Sequence, residues 1–413
     1  MSEVKVDKIT NRVGTGAPRF PNGITIGGQT VASQYPGVLA GSIVESNGTP
    51  TNVSAGTYWF NDSGANKFLA IYYDDNWIGL SGEVVAGGVQ PMGGDRGFSL
   101  AGTGPSTDDV VEYWDLTTTS NAQTFGNTLT TDINWSAACG NGTRVINHEA
   151  YSNISTYDTI SYITSATLGN AVDFGNTFHQ RVGEAAASNG TYGIFGAGYG
   201  ATGPAPYSGP AARIDDIDYV TISTTGNAAD WGDVLPTNRS YLACADNSSY
   251  VLFAGGMANA GEGSPYTSSS NVAGEMYKLS TTVGSGGTLI GDLSDDRGIL
   301  KGAESPTRAL FMGGLIGSSS TASNWCDIID YMDFASEGNA TDFGNLVRGN
   351  AYGGACSNDT TAAYFGGYDN ISGSTTEVAD IRYITMATTG NATDAGDLTR
   401  ADHRMDGASG FAS

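Results

Sequence analysis

Three histidines, four cysteines and a recurring set of acids are the side chains in this 413-residue chain that could do chemistry. His148, His179 and His403 are scattered along the sequence, whereas a metal centre or a catalytic triad needs several partners converging on one point. No Gly-x-Ser-x-Gly, phosphate-binding loop or His-Glu-x-x-His string accompanies them. The acids are more orderly. Asp109, Asp158, Asp215 and Asp327 each stand four residues before a tyrosine, and Asp173, Asp230, Asp342 and Asp394 each stand two residues before a glycine. A hydrolase needs one unlike pair of carboxylates with separated pKa values, and a repeated acid is instead suited to capping turns. Calcium or a repeated ligand site is the alternative. The sequence therefore offers no catalytic residue, no cofactor motif and no metal site.

These residues are positioned by a repeated hairpin. Asp218 to Asp233 reads DYVTISTTGNAADWGD, alternating apolar and polar residues around a Gly226-Asn227 turn. The same pattern recurs on Tyr113, Tyr162, Tyr277, Tyr331 and Tyr383, so that with Tyr219 the successive spacings are 49, 57, 58, 54 and 52 residues. An all-strand period near fifty is the mark of kelch-type β-propeller blades. Two earlier strands complete each blade, read as Arg239–Cys244 and Tyr250–Gly256 in the fourth and Tyr352–Cys356 and Ala362–Gly367 in the sixth. The first hairpin has only Arg96–Gly102 before it, and the tail Arg404–Ser413 (RMDGASGFAS) aligns with RSYLACADNS at Arg239–Ser248. The fold expected is all-β, a six-bladed propeller closed by its C-terminal tail, which removes exposed sheet edges.

Composition agrees. Gly is 60 of 413 residues, which suits many tight turns, and no stretch sustains a helical apolar period. The net charge of −24 repels phosphate backbones and anionic surfaces, excluding nucleic acid and membrane as natural partners. No apolar run is long enough to span a bilayer and the N-terminus has no secretory signal, so no membrane insertion is expected. Cys139, Cys244 and Cys356 occupy AAC, LAC and GAC strings that open blades. Equivalent positions around a ring lie beyond bridging distance, so these are read as small core residues of a chain folded in a reducing compartment.

Residues 1–50 read as an extended arm and 51–85 as a small aromatic β-meander, with the propeller over 86–413. Lys5, Lys8, Arg12 and Arg19 leave residues 1–20 with a charge of +2 on an otherwise acidic chain. An under-packed basic arm needs something to dock on. VDKITNRVGTGAPRFPNG and the meander GTYWFNDSGANKFLAIYYDDNWIGL resemble N-terminal modules of virion structural proteins of tailed, marine cyanophage-like bacteriophages. The consensus YITMATTGNATDAGDLTR at Tyr383–Arg400 is similar to kelch-like repeats of the same phages. The resemblance implies a virion component, assembled in the host cytoplasm, without enzymatic activity. It would attach to other virion proteins through residues 1–85 in multiple copies, a trimer in the simplest case.

Long loops between the second and third strands fall on one face. They carry Tyr199, Tyr207, Tyr266, Trp325 and Tyr368 amid Ser, Asn and Gly, a mixture suited to binding a host-surface glycan or protein. A tail- or capsid-attached fibre or adhesin is the first reading. A non-adhesive decoration or scaffold protein is the second, and a polysaccharide-degrading propeller the third.

Overall fold

The computed structural model describes residues 94–410 except 101, 105–108, 132, 151–157, 202–210, 248, 259–270, 318–323 and 372–373; before residue 94 it describes only the backbone of six short strands. The chain divides into two compact units, Met1–Gln90 and Pro91–Ser413. In the first, Tyr58–Asn61, Phe68–Tyr73 and Asn76–Gly79 form the expected meander. A strand that the sequence reading left in the arm, Ile43–Glu45, joins it in parallel. Lys5, Lys8, Arg12 and Arg19 lie outside the described residues.

The second unit is all-β, with no α-helix among the described residues. Its strands gather in antiparallel groups of four. The first group joins the C-terminal strand Asp406–Gly410 to Arg96–Leu100, Val110–Asp115 and Gln123–Asn127. The tail thus supplies the strand that was missing before residue 96. The second group pairs Ala137–Gly140, Arg144–His148, Thr159–Thr164 and Val172–Asn176. The third pairs Ala185–Ser188, Tyr192–Gly196, Ala211–Thr221 and Ala229–Ser240; its two long strands run on to join further short strands in one eight-stranded sheet. Ala243–Asp246, Tyr250–Ala254, Glu275–Ser280 and Thr288–Asp292 form the fourth. The fifth comprises Lys301–Glu304, Arg308–Met312, Ile328–Asp333 and Thr341–Asn345, and the sixth Gly354–Ser357, Thr361–Phe365, Asp380–Thr385 and Thr393–Asp397.

The opening strands start later than the sequence suggested. Arg239 belongs to the preceding long strand, and the fourth group opens at Ala243, the sixth at Gly354. The reason is a repeated left-handed residue two positions before each opening strand. Trp135, Gly183, Tyr241, Ile299, Tyr352 and Arg404 have φ between 56° and 69°. Five of the six are not glycine, so each carries a strained backbone that its surroundings must hold. Consecutive opening strands lie beside one another, and Asp406–Gly410 lies beside both Gly354–Ser357 and Ala137–Gly140.

A second joint works at the opposite edge of the groups. The turn of the second group sends the Gly169 and Ala171 N–H groups to Phe125 and Asn127 carbonyls of the first, while Asn170 Oδ1 accepts the Asn127 N–H at 3.1 Å. The same clasp joins the third to the second, the fifth to the fourth and the sixth to the fifth. Asn121 and Ala122 of the first group clasp the sixth through Asp397. The glycine near the end of the last strand, which follows the repeated Asp by two residues in the groups that carry that Asp, exists for this contact: a Cβ on Gly126 or Gly291 would stand 2.1 or 2.0 Å from the neighbouring turn carbonyl. The joint between the third and fourth groups differs. There a Cβ on Gly232 would meet nothing closer than Gly284 Cα at 3.8 Å, and Trp231 Nε1 donates to Ser285 O instead.

Candidate functional site

The polar residues of the opening strands meet in a cavity of about 60 Å³. Asp246, Glu304, Ser188, Ser357 and Ser409 share one register level, three residues beyond the start of their strands or the equivalent. Each strand edge facing the cavity has N–H groups with no ladder partner, and side chains of the next strand take them. Ser188 N–H donates to Asp246 Oδ2 at 2.8 Å, Asp246 N–H to the Glu304 carboxylate, and Glu304 N–H to Ser357 Oγ at 3.0 Å. Ala138 N–H donates to Asp406 Oδ2, whose other oxygen pairs with Lys301 Nζ at 3.0 Å. Among the described residues Lys301 is the only cation lining this cavity.

Further from the cavity, a bulge in most third strands turns the residue before the repeated tyrosine inward. Those residues are Glu112, Ser161, Asp218, Met276, Asp330 and Arg382, all buried. Asp218 and Asp330 meet Arg181 and Arg297, which come from the preceding connectors and are themselves wholly buried. The acids also accept connector N–H groups: Phe178 to Asp218, Ser294 to Asp330, and Thr399 to Glu112. Arg181, Arg239 and Arg297 recur 58 residues apart, a period that aligning the connectors would have revealed. Their partners' inward direction does not follow from period-two alternation, which ignores the bulge.

The repeated acids found in the sequence are less central. Asp230 and Asp394 do cap turns, accepting Gly232 and Gly396 N–H groups two residues on. Asp109, Asp158 and Asp327 contribute backbone carbonyls to the connectors. His148 Nδ1 contacts the buried Glu184 carboxylate, which lies near Arg181. Burial and the neighbouring Arg181 charge lower the His179 pKa; burial and Arg404 hold His403 at about 4. His179 and His403 both lie in connectors ahead of a left-handed residue, four residues before Gly183 and one residue before Arg404.

The loop aromatics among the described residues do not stand in solvent. Tyr199 and Trp325 are buried and Tyr368 half-buried, packed with Trp135, Tyr241, Ile299 and Tyr352 in one cluster. Trp325 stacks on Tyr368 at 5.7 Å, and Trp135 meets Tyr241 and Tyr352 at 4.4 and 5.3 Å. The left-handed residues supply the centre of this cluster, and Gly183 is the gap into which the Tyr241 ring fits. Tyr207 and Tyr266 lie outside the described residues.

No protein-family model matches the chain, and no curated protein matches its sequence.

Chemistry at these positions is therefore read from geometry alone. Among the described residues no three His, Cys, Asp or Glu side chains converge as metal ligands, and no helix is long and apolar enough to cross a membrane. The cysteines are free. Cys139 and Cys356 share a register position, but Cys244 is one residue out of step, pairing with Phe253 where the others meet Ile146 and Ala363. That slip turns it to the other face, where Sγ donates to Ala186 O at 2.9 Å. Burial pushes the thiols of Cys139, Cys244 and Cys356 up, away from thiolate chemistry.

Proposed function

We propose that the chain is a virion structural protein of a tailed phage, built as a six-bladed kelch-like β-propeller on an N-terminal anchoring segment. The six four-stranded groups are the blades, and the tail strand closes the ring. Support comes from contacts at both radii: opening strands neighbour one another in cyclic order, and turn clasps link five of the six joints, the sixth group back to the first included. The observation that carries a structural rather than catalytic role is where the ionisable groups are used. Buried acids and arginines are bonded to connectors and neighbouring strands, so they serve as joints between repeats. Residues 1–85 attach the protein to other virion proteins in several copies. The loops between the second and third strands, to which the sequence assigns Tyr207 and Tyr266, contact a host-surface glycan or protein.

The decoration or scaffold reading shares the attachment and drops the host contact. Particles carrying wild-type chain and Tyr207→Ala/Tyr266→Ala chain separate the two. The adhesin reading expects normal copy number and at least tenfold weaker adsorption in the variant. Unchanged adsorption removes the adhesin role, and absence of the chain from purified particles removes the virion assignment altogether. Release of reducing ends from host polysaccharide at catalytic rates overturns the non-enzymatic reading.

A further inference from the structure

The cavity between the opening strands has more acceptors than donors. Asp246 and Glu304 face it from adjacent strands, Asp406 from a third, and Glu184 from a connector. Lys301 is taken by Asp406, and no cation stands beside Asp246 or Glu304 among the described residues. Glu184 is 4% exposed, and its Oε2 has no hydrogen-bond donor; Arg181 Nε lies 3.8 Å away. The remaining titratable groups of the lining are the thiols of Cys139, Cys244 and Cys356. Glu304 takes the Asp246 N–H from the adjacent strand and is only partly withdrawn from solvent, so ionising both acids puts two like charges on one cavity wall with no cation beside them among the described residues. A proton is the smallest ligand that relieves them.

We propose that this cavity is a proton-binding site, in which Asp246 and Glu304 hold one proton between them near neutral pH and so tie the opening strands of the fourth and fifth groups. The direction of titration agrees. Burial raises Glu304 from 4.5 to about 7, and burial together with the Glu304 charge pushes Asp246 well up. The pair titrates as one unit. A carboxyl raised in the folded state binds a proton that the unfolded chain has already released, so its contribution to stability falls as pH rises from about 4.5 through 7. His403 acts oppositely: held at about 4, it disfavours the folded state in acid and ceases to do so as pH rises towards 6.5. His179 is lowered in the same way, and burial raises Asp218 and, in the cavity itself, Asp406, so the wild-type profile mixes several groups and a difference between variants is needed to isolate the pair.

The test is thermal unfolding of the full chain and of its Glu304→Gln variant between pH 5.5 and 8.5. Gln keeps the oxygen that accepts the Asp246 N–H and cannot ionise. The melting temperature of the variant minus that of the wild type should rise by about 3–5 °C between pH 5.5 and pH 8.5. A difference that stays constant with pH overturns the proposal, as does a variant that loses ground as pH rises. Should the variant fail to fold, infrared titration of the wild type decides: a protonated buried carboxyl that disappears around pH 7 supports the site, and none above pH 5.5 removes it.

Discussion

The fourth and fifth groups are built from the same repeat, and they are joined to their surroundings in different ways. In the fifth, Arg297 and Asp330 are both fully buried at 2.6 Å, and the turn is clasped by the Gly291 region of its neighbour. The fourth has Met276 where the fifth has Asp330, so Arg239 turns to Glu275, 40% exposed, and to Tyr277 Oη. Its hairpin is also longer. Tyr277 pairs with Leu289, twelve residues on, whereas Tyr331 pairs with Thr341, ten residues on. Two extra residues carry the turn away from Gly232, and the clasp is replaced by one indole hydrogen bond. A repeat can thus lose its outer joint and its buried ion pair together while its apolar packing persists through Leu252, Phe253 and Met276.

The largest expected effect comes from breaking the buried pair of the fifth group. Arg297→Ala leaves Asp330 desolvated with its cation gone, and should cost about 3–5 kcal/mol in denaturant unfolding. A loss under 1 kcal/mol would mean that the Ser294 N–H and hydroxyl carry the carboxylate alone. Gly291→Ala comes next. Its Cβ would meet Gly338 O, a backbone atom that cannot rotate aside, so about 1–3 kcal/mol should be lost. Amide exchange should then quicken at Gly338 and Ala340 ahead of the rest, because their N–H groups form the clasp. Unchanged protection there would show that the clasp does not hold the joint.

The comparison also explains what could be read in advance. Strand type, the tyrosine period, the Gly-Asn turns and the displaced tail strand were legible because each rests on short-range pattern: alternation, turn residues and spacing. The odd fourth turn was visible too, as Ser285-Gly286-Gly287 in place of Gly-Asn-Ala. Its consequence was not, since a clasp involves two repeats about fifty residues apart. The left-handed residues were hidden because Trp135, Tyr241, Ile299 and Tyr352 are bulky or β-branched types that sequence rules place in ordinary strands. That hidden kink moved the start of each opening strand. It also gathered Tyr199 and Trp325 into a packed cluster, where loop composition had suggested a solvent-facing surface.

The smallest effect should come from the fourth group's own ion pair. Burial alone would raise Glu275, but the hydrogen bond and charge of Arg239 outweigh it and hold the carboxyl below its ordinary value. A lowered carboxyl stabilises the fold above its unfolded pKa, and that contribution disappears as pH falls through the folded value. Glu275 is well solvated, so screening limits the gain, and Glu275→Ala should cost no more than about 1 kcal/mol at pH 7. Arg239 would keep its Tyr277 Oη, Thr237 Oγ1 and Gly255 carbonyl partners. Measured beside Arg297→Ala, the variant should show a several-fold smaller loss that shrinks further at high salt. If Glu275→Ala costs as much as Arg297→Ala and resists salt, the two arginines do the same work in the fourth and fifth groups and the contrast between them fails.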